Sequence, residues 1–168
     1  MWIVLLERDR RFEASPDRIF HGGTGKGLMD MKNGAKSELS GLCLLEVKTR
    51  AERQTEPLNA VTRGHLCQVQ LQLECTQSNS YILKSFVAES RKSRYFLIRK
   101  NDGFVSWSVQ VFSAIYEQRA LTNICHADRY AELKVLTNKV PDFENLLVLR
   151  QWANHLALRC CEVKFLDS

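Results

Sequence analysis

Residues 41–50 read Gly-Leu-Cys-Leu-Leu-Glu-Val-Lys-Thr-Arg. The apolar run Leu42–Leu45 passes into the alternation Glu46, Val47, Lys48, Thr49, the pattern of a strand leaving a covered core for a polar surface. Side chains two apart on a strand share a face, so Glu46 and Lys48 project side by side. Residues 11–20, which contain Ser15-Pro16-Asp17, read as a second strand. If the two strands pair, Asp17, Glu46 and Lys48 converge at one end of a ribbon. Two carboxylates that close repel unless a cation lies between them. Hard oxygen ligands of this kind suit magnesium or manganese.

Working outward, residues 21–41 form a long polar connection holding six of the eight glycines. Its stretch His21-Gly22-Gly23-Thr24-Gly25-Lys26-Gly27 is not a phosphate loop. Phe20 stands where the first glycine belongs, and Gly27 replaces the Ser or Thr after the lysine. A polar loop, 51–59, precedes 65–73, where glutamines alternate with Val69, Leu71 and Leu73. Leu66, Val69, Gln70 and Leu73 also fit a helix face, and Gln and Leu are good helix formers, so a helix is expected. Strands follow at 80–87 and 94–100, with Asn101-Asp102-Gly103 as a turn. An amphipathic helix is expected over 104–119, and helical stretches around 130–136 and 143–158. The order is ββαββα plus a helical tail, an α/β or α+β chain on a small mixed sheet.

Composition narrows the classes. The chain has 168 residues, a net charge of +5, and 45% hydrophobic residues. That suffices for one buried core and excludes a disordered chain. The basic excess is spread along the chain, which keeps a polyanion open as a partner without a basic tail to mark it. No apolar run is long enough to cross a membrane, and Met1–Leu6 is too short for a signal peptide. The expected location is intracellular, cytoplasmic or nuclear, not secreted. The six cysteines are then reduced, small buried apolar residues. They include no C-x-x-C pair, so a zinc knuckle is not expected.

Three ordered strings carry a resemblance: Ala14-Ser15-Pro16-Asp17, then Leu44-Leu45-Glu46-Val47-Lys48-Thr49, then His65-Leu66-Cys67-Gln68-Val69-Gln70-Leu71-Gln72. Together they resemble the YqaJ-like viral recombinase family, the lambda exonuclease-like branch of the PD-(D/E)XK nucleases. Asp102-Gly103-Phe104 matches that family's closing D-x-[FY] turn. The resemblance covers residues 11–118 and implies a restriction-endonuclease-like core over 1–118, without the helices the family places before S-P-D. Residues 119–168 would be a helical extension, packed on the core or partly ordered.

The resemblance implies a magnesium- or manganese-dependent deoxyribonuclease, of exonuclease or recombination type. Asp17 and Glu46 would be metal ligands, joined by the backbone carbonyl of Val47. Lys48 would be the catalytic lysine, and Gln68 would orient near the site. Gln70 is the weaker candidate, since residues two apart on a helix face apart. Arg18 stands where a glycine usually follows S-P-D, and His65 where the pattern has a tyrosine. Glu13, four before Asp17 on the same expected strand, could supply a further carboxylate. DNA is the expected partner, and a homo-oligomer stays open. The alternative is a degenerate, non-catalytic nucleic-acid-binding or assembly domain with the same fold.

Overall fold

The structure is a computed structural model and describes residues 4–6, 9–14, 17–22, 27–39, 41–50, 55–121 and 143–166. Nine strands and three helices are described, a mixed α+β arrangement. The strands are β1 (Val4–Leu6), β2 (Asp9–Ala14), β3 (Arg18–Gly22), β4 (Gly27–Asp30), β5 (Lys36–Glu38), β6 (Gly41–Thr49), β7 (Ser80–Phe86), β8 (Ser93–Arg99) and β9 (Cys161–Phe165). The helices are α1 (Arg63–Cys75), α2 (Asp102–Leu121) and α3 (Phe143–Leu158). β1 and β2 form a separate hairpin that lies against α1. The other seven strands form one sheet in the order β3-β6-β7-β8-β9-β4-β5.

Strand β6 is antiparallel to β3 and parallel to β7; every other pairing in the sheet is antiparallel. A parallel pair needs a crossover connection, and the segment carrying α1 provides it. Thr62 caps α1 by accepting the His65 N–H at 3.3 Å. Leu66, Val69 and Leu73 then form the buried stripe of a helix, which resolves the helix–strand ambiguity of this segment. They pack on Leu44, Tyr81, Leu83, Phe96 and Ile98 from one face of the sheet.

Helices α2 and α3 complete that layer with Phe104, Val111, Leu149, Ala153 and Ala157. Ala153 and Ala157 lie four apart on one face of α3 and are buried there. Trp152 meets the Phe104 ring edge-on at 5.6 Å. Gly103 lies under the same indole, where an added Cβ would stand 3.3 Å from the ring. Asn101 is the cap of α2 rather than part of a turn: its Oδ1 accepts the Phe104 N–H at 2.8 Å.

The opposite face of the sheet is covered by the sheet itself. Glu38 of β5 and Gly41 of β6 are three residues apart, so their Cα atoms are separated by at most about 11 Å. In a flat sheet of this order β5 and β6 would lie five spacings, about 24 Å, apart. The sheet therefore curls. Leu28 of β4 and Val163 of β9 share a core cluster with Cys43 of β6 and Ile82 of β7. Coverage on both faces explains why Tyr81, Ile82 and Leu83 are consecutive and fully buried.

Three further readings of the sequence change. The single strand over 11–20 is two elements, β2 and β3, in different sheets, with Pro16 between them unable to donate to a ladder. Glu13 pairs with Leu5 in the hairpin, not in the strand of Asp17. The polar connection after residue 22 contains β4 and β5, and the tail ends in β9; all three are short and gain their stability from pairing across long sequence separations. The helix expected around 130–136 lies outside the described residues, whereas that over 143–158 is present. Cys43, Cys67, Cys75, Cys160 and Cys161 are free thiols. Burial pushes Cys43 and Cys75 up to about 11 and Cys160 to about 12, so they stay protonated. Among the described residues no helix is long and apolar enough to cross a membrane.

Candidate active site

On β6 the even-numbered side chains face α1. Leu44 enters the core there, and Glu46, although charged, is only 5% exposed. A buried carboxylate must find donors or lose its charge. Glu46 finds four. Lys48, on the same strand face, forms an ion pair with Oε1, and Gln68 Nε2 donates to Oε1 at 3.0 Å. On the other oxygen, Gln72 Nε2 donates to Oε2 at 3.1 Å and the Tyr81 hydroxyl lies 2.6 Å from it. That hydroxyl is also 2.6 Å from Gln72 Oε1. With one proton between two acceptors, the charged carboxylate takes the stronger bond.

These contacts settle the charge state. Burial alone would raise the Glu46 carboxyl, but hydrogen bonds from Lys48, Tyr81 and Gln72 and the Lys48 charge outweigh it, holding it below its ordinary value. Tyr81 is pushed far up by burial, then by the hydrogen bond and charge of Glu46 and by the charge of Asp17, so it remains a neutral donor. His65, in the first turn of α1, is held below its ordinary value by burial and then by the Lys48 charge.

Asp17 stands one residue before β3. Arg18 pairs with Leu45, so the same register continued sets Asp17 opposite Glu46. Its Oδ2 accepts the Val47 N–H at 2.8 Å, extending the ladder by a side chain. A strand residue presents its N–H and C=O to the same edge, so the Val47 carbonyl shares the edge of Asp17. The influence of Asp17 on Tyr81 sets its carboxylate within Coulombic reach of the Glu46 cluster.

The structure brings three of the five residues singled out in the sequence together and seats Asp17 on the backbone of the fourth, Val47. Glu46, Lys48 and Gln68 touch through side chains, and Asp17 reaches the same strand through Val47. Gln70 points elsewhere, donating to the Arg99 carbonyl and accepting from Asn101 N–H, each at 2.8 Å. Two members went unread. Gln72 follows Gln68 by four, on the same helix face, and helix arithmetic could have found it. Tyr81 carries no local signal; only the β6–β7 pairing brings it under Glu46.

Among the described residues no three His, Cys, Asp or Glu side chains group to hold a metal. A cation here would draw on Asp17, Glu46 and the Val47 carbonyl, all hard oxygen donors that suit magnesium or manganese. A cavity of about 470 Å³, lined by residues including Leu66, Gln70, Arg99 and Arg159, is bounded by none of the five. No protein-family model, curated protein or solved structure matches the chain.

Proposed function

We propose that this chain is a metal-dependent deoxyribonuclease on a restriction-endonuclease-like core of the PD-(D/E)XK kind, hydrolysing DNA phosphodiester bonds in the exonuclease or recombination manner. The observation that carries the reading is one cluster: Asp17 on the Val47 N–H, beside a Glu46–Lys48 pair held by Gln68. The succession of antiparallel β3–β6, helix α1, parallel β7 and antiparallel β8 supports it, because the first family-like string ends at Asp17, just before β3, the second lies on β6 and the third on α1.

Asp17, Glu46 and the Val47 carbonyl would hold magnesium or manganese, which when bound lowers the pKa of a water and neutralises charge building on phosphate. The remaining work falls to the chain. Gln72 and Tyr81 fix Glu46 Oε2 and keep the carboxylate ionised and aimed. Asp17 is oriented by the Val47 N–H. Lys48 is partly exposed on a flexible stem, so its ammonium can turn from Glu46 toward a substrate and offset developing negative charge. The overall charge of +5 favours association with a polyanion and makes it salt-sensitive.

Incubation of linear duplex DNA with magnesium, against a chelated control, tests the proposal: metal-dependent fragmentation is the expected result. A second reading, a non-catalytic DNA-binding or assembly domain on the same core, has one observation in its favour. All four donors on Glu46 come from the chain itself, as they would in a purely structural anchor of α1 to β6 and β7. Binding without cutting, with magnesium or manganese, decides for it.

A further inference from the structure

Among the described residues three buried side-chain nitrogens have no hydrogen-bond partner: Arg50 Nε, His65 Nδ1 and Trp107 Nε1. Buried polar groups are almost always satisfied, so an orphan asks for a missing partner. Two of the three flank the Glu46–Lys48 pair. Arg50 continues β6 by one residue, its N–H bonded to the Phe86 carbonyl at 2.8 Å, so Glu46, Lys48 and Arg50 alternate onto one face. On α1, His65, Gln68 and Gln72 form the stripe facing them, and Gln68 and Gln72 already grip Glu46. His65 is the next member of that stripe toward the start of the helix. The Lys48 and Arg50 charges both act on its imidazole, while Glu46 opposes them.

We propose that Arg50 Nε and His65 Nδ1, with Lys48 beside them, form an anion subsite that binds the oxygens of a phosphate group. Guanidinium N–H groups match phosphate geometry, and imidazole offers an Nδ1–H in one neutral tautomer and when protonated. Neither nitrogen is bonded to Glu46, whose donors in the metal-free chain are Lys48, Gln68, Gln72 and Tyr81. That DNA supplies this phosphate rests on the nuclease reading; the subsite itself does not require cleavage.

The test uses the full chain without metal, at fixed pH and ionic strength. The imidazole NMR signals of His65, assigned by their loss in His65→Asn, are followed as inorganic phosphate is added. Saturable movement of those signals is expected. Apparent phosphate affinity should fall about tenfold in Arg50→Gln, the size of losing one charge-assisted hydrogen bond. Arg50→Lys, which keeps the charge and removes Nε–H, should weaken binding in the same direction and serves if the glutamine variant does not fold. A second arm replaces phosphate with a duplex oligonucleotide. A matching displacement of His65 identifies the DNA backbone as the source, and a response to phosphate alone identifies the free anion. His65 signals unmoved by either probe overturn the subsite, as does an affinity unchanged in both Arg50 variants. Neither arm needs cleavage, so a chain that cuts no DNA but passes this test keeps the subsite and loses the nuclease reading.

Discussion

Glu46 holds its charge against burial, and that makes acid stability a readout of the cluster. Its folded carboxyl lies below the ordinary 4.5, so its contribution to stability is present above that value and is lost as pH falls through the folded one. His65 is likewise lowered, from 6.5, and its contribution is lost as pH falls from there. The metal-free protein should therefore lose stability in two stages, the first beginning near pH 6.5 and the second below about 4.5. Glu46→Gln should shrink the second stage, in which Asp30 also takes part, and keep the first, at a cost on the order of 2 kcal/mol at neutral pH from donors left facing donors. Urea midpoints measured across pH for both proteins check this. Identical acid profiles would separate Glu46 from the effect. At this scale Glu46 and Lys48 were legible through strand alternation, a local property, and Asp17 and Gln68 through the ordered strings of the resemblance. Tyr81 was not, because its role comes from a partner strand.

Helix α1 divides its glutamines between two tasks. Gln68 is exposed at the site and holds Glu46, whereas Gln70 is 1% exposed and ties the helix to the end of β8 and the start of α2. Gln70→Ala leaves the Asn101 N–H and the Arg99 carbonyl without that partner and should cost about 1–3 kcal/mol, visible as a lower denaturant midpoint. Gln68→Ala should change stability by well under that and act on cleavage instead. The reverse assignment would place the functional glutamine at position 70. This helix was readable from its Leu and Gln content, even though its glutamines imitate strand alternation. Strands β4, β5 and β9 were not, since four, three and five residues carry too little periodicity to register.

The curl of the sheet is the property least available to local pattern, because it follows from strand order and from the short β5–β6 link. It has an energetic signature. In a flat sheet Leu28 of β4 and Ile82 of β7 would be three strand spacings, about 14 Å, apart. Substitutions that far apart usually add within about 0.3–0.5 kcal/mol. In the curled sheet both residues belong to one buried cluster. A double-mutant cycle of Leu28→Ala and Ile82→Val should give a coupling above about 0.5 kcal/mol. Additive losses would contradict the curl.

For the molecule as an enzyme, the decisive measurement compares the unmodified chain with Lys48→Ala on linear duplex DNA with magnesium, beside a binding titration at one salt concentration. Lys48 is assigned to charge that develops in the transition state, so its loss should slow cleavage by at least about 100-fold. DNA affinity should change little, because the other basic side chains still neutralise the backbone. An unmodified chain that binds DNA yet cuts nothing with magnesium or manganese, or a Lys48→Ala chain that cuts as fast as the original, would contradict the account.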